Sequence, residues 1–157
     1  MTAELLGADS FNIVPHLAAL MIAYLLALPI GWNREREERS AGLRTFPLVA
    51  VASCGFIQAA ETMLAGDPEA VARVVEGVIT GMGFIGGGAI LKVRESVRGT
   101  ATAASLWVTG AIGVAVGLGS VDVAVMLAVI AFITLTLLPP LKKIADIEPK
   151  GRPEAKE

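Results

Sequence analysis

Five apolar runs separated by short polar segments organise this chain of 157 residues. They lie at Val14 to Gly31, Phe46 to Leu64, Val74 to Leu91, Ala101 to Leu118 and Val121 to Leu141. A helix of about 18 residues, rising 1.5 Å per residue, covers the hydrocarbon thickness of a bilayer, so each run predicts a membrane-spanning helix. The punctuation agrees. Thr45-Phe46-Pro47 offers a cap and an early-turn proline, Gly66-Asp67-Pro68 reads as a turn, and Gly119-Ser120 joins the last two runs as a tight hairpin. Pro139-Pro140, ahead of Lys142 and Lys143, predicts the end of the last span.

Composition supports the membrane reading: 54% of residues are hydrophobic and only 18% are charged. Mean hydropathy is +0.67. The expected fold class is an all-α membrane protein, a bundle of five transmembrane helices. One transmembrane domain over residues 1–143 precedes a short polar tail over residues 144–157. The first ten residues, MTAELLGADS, lack the basic region of a cleavable signal peptide, so no removal is expected. The lone cysteine, Cys54, lies inside an apolar run and reads as a packing residue.

Glycine sharpens the picture. Eleven of the seventeen glycines fall between Gly77 and Gly119. In water that density disfavours helices, whereas in lipid the helix is enforced and glycine lets two helices approach closely. The third and fourth spans each carry a small or polar stripe at helical spacing. One holds Glu76, Thr80, Gly83 and Gly87; the other holds Thr102, Ser105, Thr109 and Gly113. The expectation is that these faces meet and that the hydroxyls bond across the interface. The alternative is a polar cleft with Glu76 as its functional acid.

Charge orients the bundle. Twelve of the thirteen Lys and Arg residues fall in the first loop, the third loop and the tail, and only Arg73 falls in the opposite set. The positive-inside rule then places the N-terminus outside and the C-terminus in the cytoplasm, in a multi-pass protein of the cell inner (plasma) membrane. Seven acids, Glu4, Asp9, Glu61, Asp67, Glu69, Glu76 and Asp122, lie on the outer side. They read either as residues excluded from basic loops or as a surface that concentrates cations. They are too scattered to form a tight cation site.

In the first loop, Arg34 with Glu38 and Glu35 with Arg39 are spaced as exposed helical pairs, so this segment reads as a solvated extension of the first span. Arg44 and Arg98 differ, because each immediately precedes a span. They read either as inside anchors or as a paired anion or partner contact, and charge reversal at either is expected to harm function more than reversal at Arg36. Trp32 and Trp107 suit the inner boundary, and Met63, Met82 and Met126 read as lipid or core packing.

Enzymatic motifs fail on physical grounds. Gly81, Gly83 and Gly86 satisfy GxGxxG, but within an apolar span and after no strand. His16 enters the first span from outside while Ser105 lies near the inner end of the fourth, so they cannot form a base and nucleophile pair. No HExxH, Walker loop, paired catalytic acids or zinc spacing occurs. No enzymatic activity, cofactor, metal, nucleic acid or small-molecule substrate is expected.

Three segments, IGWNREREERSAGLRT, GMGFIGGGAI and VRGTATAASLWVTGAIGVAVGLG, resemble the MgtC/SapB family of bacterial inner-membrane proteins, in order from about Leu26 to Leu141. Gly42, Leu43, Arg44 and Thr45 match the family's AGLRT run; Arg98, Gly99, Thr102, Ala103 and Ala104 match its VRGxxTAA run. The resemblance implies a five-span bundle in the short form, without the ACT-like soluble domain of longer members. It also implies regulation linked to low magnesium and to survival in macrophages, as in members that restrain the rotary ATP synthase by contact within the membrane. Asn33, Phe46, Ala101 and Val108 depart from virulence-type members and favour a housekeeping branch.

The favoured expectation is therefore a non-enzymatic regulator that contacts a membrane-protein partner, or a second copy, through its helices. The alternative is a small cation transporter or channel, alone or as an oligomer. Candidate functional residues are Arg44, Thr45, Arg98, Thr102, Ser105, Gly81, Gly83, Gly87 and Glu76.

Overall fold

A computed structural model of the chain describes residues 13–37, 41–63, 66–93 and 96–145. Five helices dominate it: α1 (Ile13–Arg36), α2 (Thr45–Met63), α3 (Pro68–Gly88), α4 (Thr100–Gly117) and α5 (Val121–Ala145). Four of them, α1, α3, α4 and α5, are long and apolar enough to cross a membrane, while the apolar part of α2, Thr45–Ala60, is shorter. Large apolar side chains turn outward, among them Val14, Leu48, Phe84 and Ile130. Such a surface suits lipid as its solvent.

The bundle is built around α4. Its sequence is apolar or small on every side, the pattern of a helix surrounded by others, and eleven of its eighteen residues are buried. All four other helices pack on it. Glycine makes the approach possible. A Cβ at Gly113 would collide with the Ala50 carbonyl oxygen, and one at Gly117 would lie 2.7 Å from Ile57 Cβ. Cys54 is fully buried in the same core, as its apolar run predicts.

The expected hairpin after α4 forms by a specific device. Gly119 takes a positive φ of 77°, and its N–H and that of Ser120 donate to the carbonyls of Val116 (3.0 Å) and Ala115 (2.8 Å). This Schellman pattern satisfies the carbonyls that a helix end leaves without donors.

Three boundaries depart from expectation. First, α3 starts at Pro68 and not at Val74, because the Asp67 carboxylate caps it by accepting from Ala70 N at 3.0 Å, with proline at the first turn. Glu69 and Arg73 lower the hydropathy of this added stretch without interrupting its helix. Second, the chain is not wholly α-helical: β1 (Leu91–Val93) and β2 (Ser96–Arg98) form an antiparallel pair, with Leu91 opposite Arg98. The basic bridge thus turns back on itself, and Gly99, with φ of 90° and the Ala89 carbonyl against it, closes the return. Third, α5 runs through Pro139 and Pro140. Proline's φ is itself helical, so each ring removes one N–H donor and here leaves the helix unbroken.

Candidate functional site

On α1 the buried residues are Ala23, Ala27, Ile30, Gly31 and Arg34, spaced so that they form one stripe along the helix. The stripe ends in a charge. Arg34 is only 3% exposed; its Nη2 donates to Thr102 Oγ1 at 2.7 Å and its Nη1 to Glu37 Oε2 at 3.1 Å. A guanidinium taken out of water requires such partners, because desolvation of an uncompensated charge is strongly unfavourable. The solvated placement of Arg34 is therefore corrected: its guanidinium is drawn inward to α4, and it pairs with Glu37, one turn on. Glu38 and Arg39 lie outside the described residues.

The AGLRT segment seats against the same end of α1. Glu35 Oε2 accepts from Leu43 N at 3.1 Å. The Gly42 carbonyl accepts from Thr45 N (3.0 Å) and Phe46 N (3.1 Å), starting α2. Gly31 permits this approach, since a Cβ there would lie 3.3 Å from the Gly42 oxygen and from Leu43 Cα. Phe46 is fully buried, Thr45 half-buried and Arg44 exposed. Arg98 is also exposed, on β2. Neither cation belongs to the Arg34 cluster.

The α4 stripe of Thr102, Ser105, Thr109 and Gly113 is buried as a unit, but it does not meet the α3 stripe. Thr102 faces Arg34, and Gly113 faces Ala50 and Ser53 of α2. Nor do the other hydroxyls bond across. Ser105 Oγ donates to the carbonyls of Ala101 (2.8 Å) and Thr102 (3.0 Å), and Thr109 Oγ1 to that of Ser105 (2.8 Å), all within α4. Hydroxyls in apolar surroundings satisfy themselves on the preceding turn when no partner is offered.

The α3 stripe points away from the bundle: Glu76, Thr80, Gly83 and Gly87 are exposed, as is Gly81. Helical spacing determines which residues share a face, not which face turns inward. Here Met82 and Gly86 turn inward instead, Met82 filling the gap at Gly110 and Gly86 lying against the Ala103 backbone. A Cβ at Gly77, Gly81, Gly83, Gly87 or Gly88 would meet nothing within 4 Å. Beside this face, α2 and α3 diverge around an apolar groove of about 800 Å³, lined by Val49, Phe56, Val74, Gly77, Gly81 and Phe84 among others. Among the described residues, no three His, Cys, Asp or Glu side chains come together as a metal site. The arrangement can do two things: lock α1 to α4 through a buried charge, and offer a smooth glycine surface for close approach.

Sequence reading missed Arg34 because it sits in a run of charges. The available signal was its register, three, four, seven and eleven residues after Gly31, Ile30, Ala27 and Ala23 on the small-residue stripe.

Comparison with known proteins fits this picture. The MgtC family profile matches residues 20–144. Protein MgtC of Brucella abortus (strain 2308) is 37% identical over 138 residues, covering 87% of this chain and 57% of that protein. Protein MgtC of Salmonella typhimurium (strain 14028s) is 37% identical over 124 residues, covering 79% and 52% respectively. Protein SrpB of Synechococcus elongatus is 37% identical over 138 residues, covering 80% and 76%. The chain thus spans little more than half the length of these MgtC relatives, and no solved structure matches it. The matched region contains α4, the AGLRT seat and nearly all of the helical bundle, and on that ground the chain belongs to the MgtC family of membrane proteins.

Proposed function

We propose that this protein is a non-enzymatic regulator in the cell inner membrane, acting by helix contacts with another membrane protein and linked to magnesium and stress adaptation. In this reading all five helices span, α2 included, with the N-terminus outside and the C-terminus cytoplasmic. The one-sided distribution of Lys and Arg supports that orientation. Residues 1–143 form the membrane domain, and residues 144–157 the cytoplasmic tail.

The observation that carries the proposal is the open face of α3. Five glycines there meet nothing within 4 Å, although each lowers helix propensity by roughly 1 kcal/mol relative to Ala. Among the described residues they bring no compensating packing. Against a second helix they allow close backbone approach, with Thr80 and Glu76 available for hydrogen bonds. Gly81, Gly83, Gly87 and Glu76 are then contact residues, with the exposed Arg44 and Arg98 as contacts at the basic end. Thr45, Thr102 and Ser105 hold the scaffold that presents them.

A photo-crosslinker at Phe84, which is 86% exposed, is expected to capture a membrane protein in cells, whereas one at the buried Ile112 is not. Equal labelling from both positions, or none from Phe84, counts against the proposal. Ion flux in proteoliposomes tests the transporter alternative. Robust flux that disappears in Glu76→Gln overturns the regulator reading.

A further inference from the structure

At the charged end of α1, away from the Thr102 contact, α1 and α5 enclose a pocket of about 310 Å³ lined by Trp32, Asn33, Arg36, Glu37, Phe132 and Thr136. The groove between α2 and α3 is almost wholly apolar. This pocket combines a cation, an anion, an amide and a hydroxyl with two aromatic rings. Trp32 and Arg36, Asn33 and Glu37, and Phe132 and Thr136 are each four residues apart, so each pair stacks along one helix face. The Asn33 amide oxygen is buried without a hydrogen-bond partner, an unfavourable state for a carbonyl group in apolar surroundings. The Arg34 lock uses neither Asn33 nor Arg36.

We propose that this pocket binds the headgroup of an aminophospholipid of the phosphatidylethanolamine type. The Arg36 guanidinium offers parallel donors to the phosphate oxygens. The ammonium group lies between the Glu37 carboxylate and the Asn33 amide oxygen, which a half-turn of the carboxamide brings from its buried position to the pocket. Glu37 already accepts from Arg34, but a carboxylate has about four acceptor positions. Thr136 supplies a hydroxyl to the phosphate or glycerol oxygens. Trp32 and Phe132 flank the glycerol level, where amphipathic and apolar rings suit the membrane interface, and the exposed Val129 and Ile133 on α5 continue toward the acyl tails. Opposite charges in the pocket match a zwitterion. A phosphatidylglycerol headgroup offers Glu37 only neutral hydroxyls, whose hydrogen bonds to the carboxylate lack the charge assistance of an ammonium. The assignment does not depend on whether α3 docks a partner.

The test uses the full chain, purified in detergent, delipidated and carrying Trp107→Phe, so that Trp32 is the only fluorophore of its kind. It is titrated with short-chain phosphatidylethanolamine, short-chain phosphatidylglycerol and inorganic phosphate. Phosphatidylethanolamine is expected to give a saturable shift in Trp32 emission, phosphatidylglycerol to bind roughly tenfold more weakly, the worth of one charge-assisted contact, and phosphate to give none. Arg36→Gln weakens both lipids, Asn33→Leu removes the preference between them, and Lys92→Gln, an exposed cation elsewhere, changes neither. Circular dichroism and monodisperse elution check that each variant is folded. Equal affinity for the two lipids, or undiminished binding in folded Arg36→Gln, overturns the proposal. Phosphate binding as tight as lipid binding assigns the pocket to a soluble anion and overturns it equally.

Discussion

Helices α3 and α4 draw on the same residue repertoire and use it in opposite ways. In α4, Gly110, Gly113 and Gly117 recur at helical spacing, and each lies against a neighbour: Met82, the Ala50 backbone and Ile57 respectively. In α3, among the described residues, only Gly86 meets another helix, while five other glycines have no neighbour within 4 Å of an added Cβ. Glycine density therefore measures how closely a helix can be approached. What fills the space depends on the facing helix, and for most of α3 no facing helix is present among the described residues.

Paired substitutions put that contrast at risk. The largest effect is expected for Gly113→Val, where the added atoms meet a backbone carbonyl that cannot swing aside; overpacking of this kind costs about 3 kcal/mol or prevents folding. Gly83→Val on α3 should leave unfolding in detergent or SDS within about 0.5 kcal/mol of wild type, as expected for an exposed site. If the two variants unfold alike, the distinction between filled and open glycine faces collapses. Next comes Thr102→Val, which keeps the volume but strips Arg34 of an acceptor, at about 2 kcal/mol for a hydrogen bond to a charged group. Thr102→Ser, which retains the hydroxyl, should recover most of this in the same assay. Gly117→Ala should cost about 1 kcal/mol, since a single methyl must displace Ile57. The smallest effect is Gly81→Ala, unchanged or stabilised by up to about 1 kcal/mol through helix propensity. Its informative readout is the Phe84 crosslink, which Gly81→Leu should abolish while the bundle stays folded.

Much of the architecture is legible in the sequence because lipid leaves the backbone few choices. Long apolar runs become helices, and Gly119-Ser120 becomes a turn because glycine readily takes the positive φ that the turn requires. The errors share a physical origin: hydropathy averages over a window, whereas boundaries are set by individual hydrogen bonds. Asp67 capping Ala70 started α3 six residues early, and neither Pro139 nor Pro140 stopped α5. At the candidate site, burial of the Thr102 stripe followed from its composition. Its partner did not, because Arg34 reads as one more exposed charge unless the small-residue register of α1 is followed past the end of the apolar run. The direction of the α3 stripe was equally hidden, since it depends on Met82 fitting over Gly110, a match between two separate helices.

The Arg34 to Thr102 contact joins residues 68 positions apart, and this has a consequence for biosynthesis. At bacterial rates of roughly 5–20 residues per second, the hydroxyl that receives the guanidinium is made about 3–14 s after the arginine itself. During that interval α1 can be integrated into the bilayer only with its charged end held at the surface, by Glu37, water or lipid phosphate. Arrival of α4 then draws that end inward. A chain truncated before Thr102 is therefore expected to pack α1 on α2 through Gly31 and the AGLRT seat, yet to leave the Arg34 guanidinium without its hydroxyl acceptor and its end of α1 at the bilayer surface.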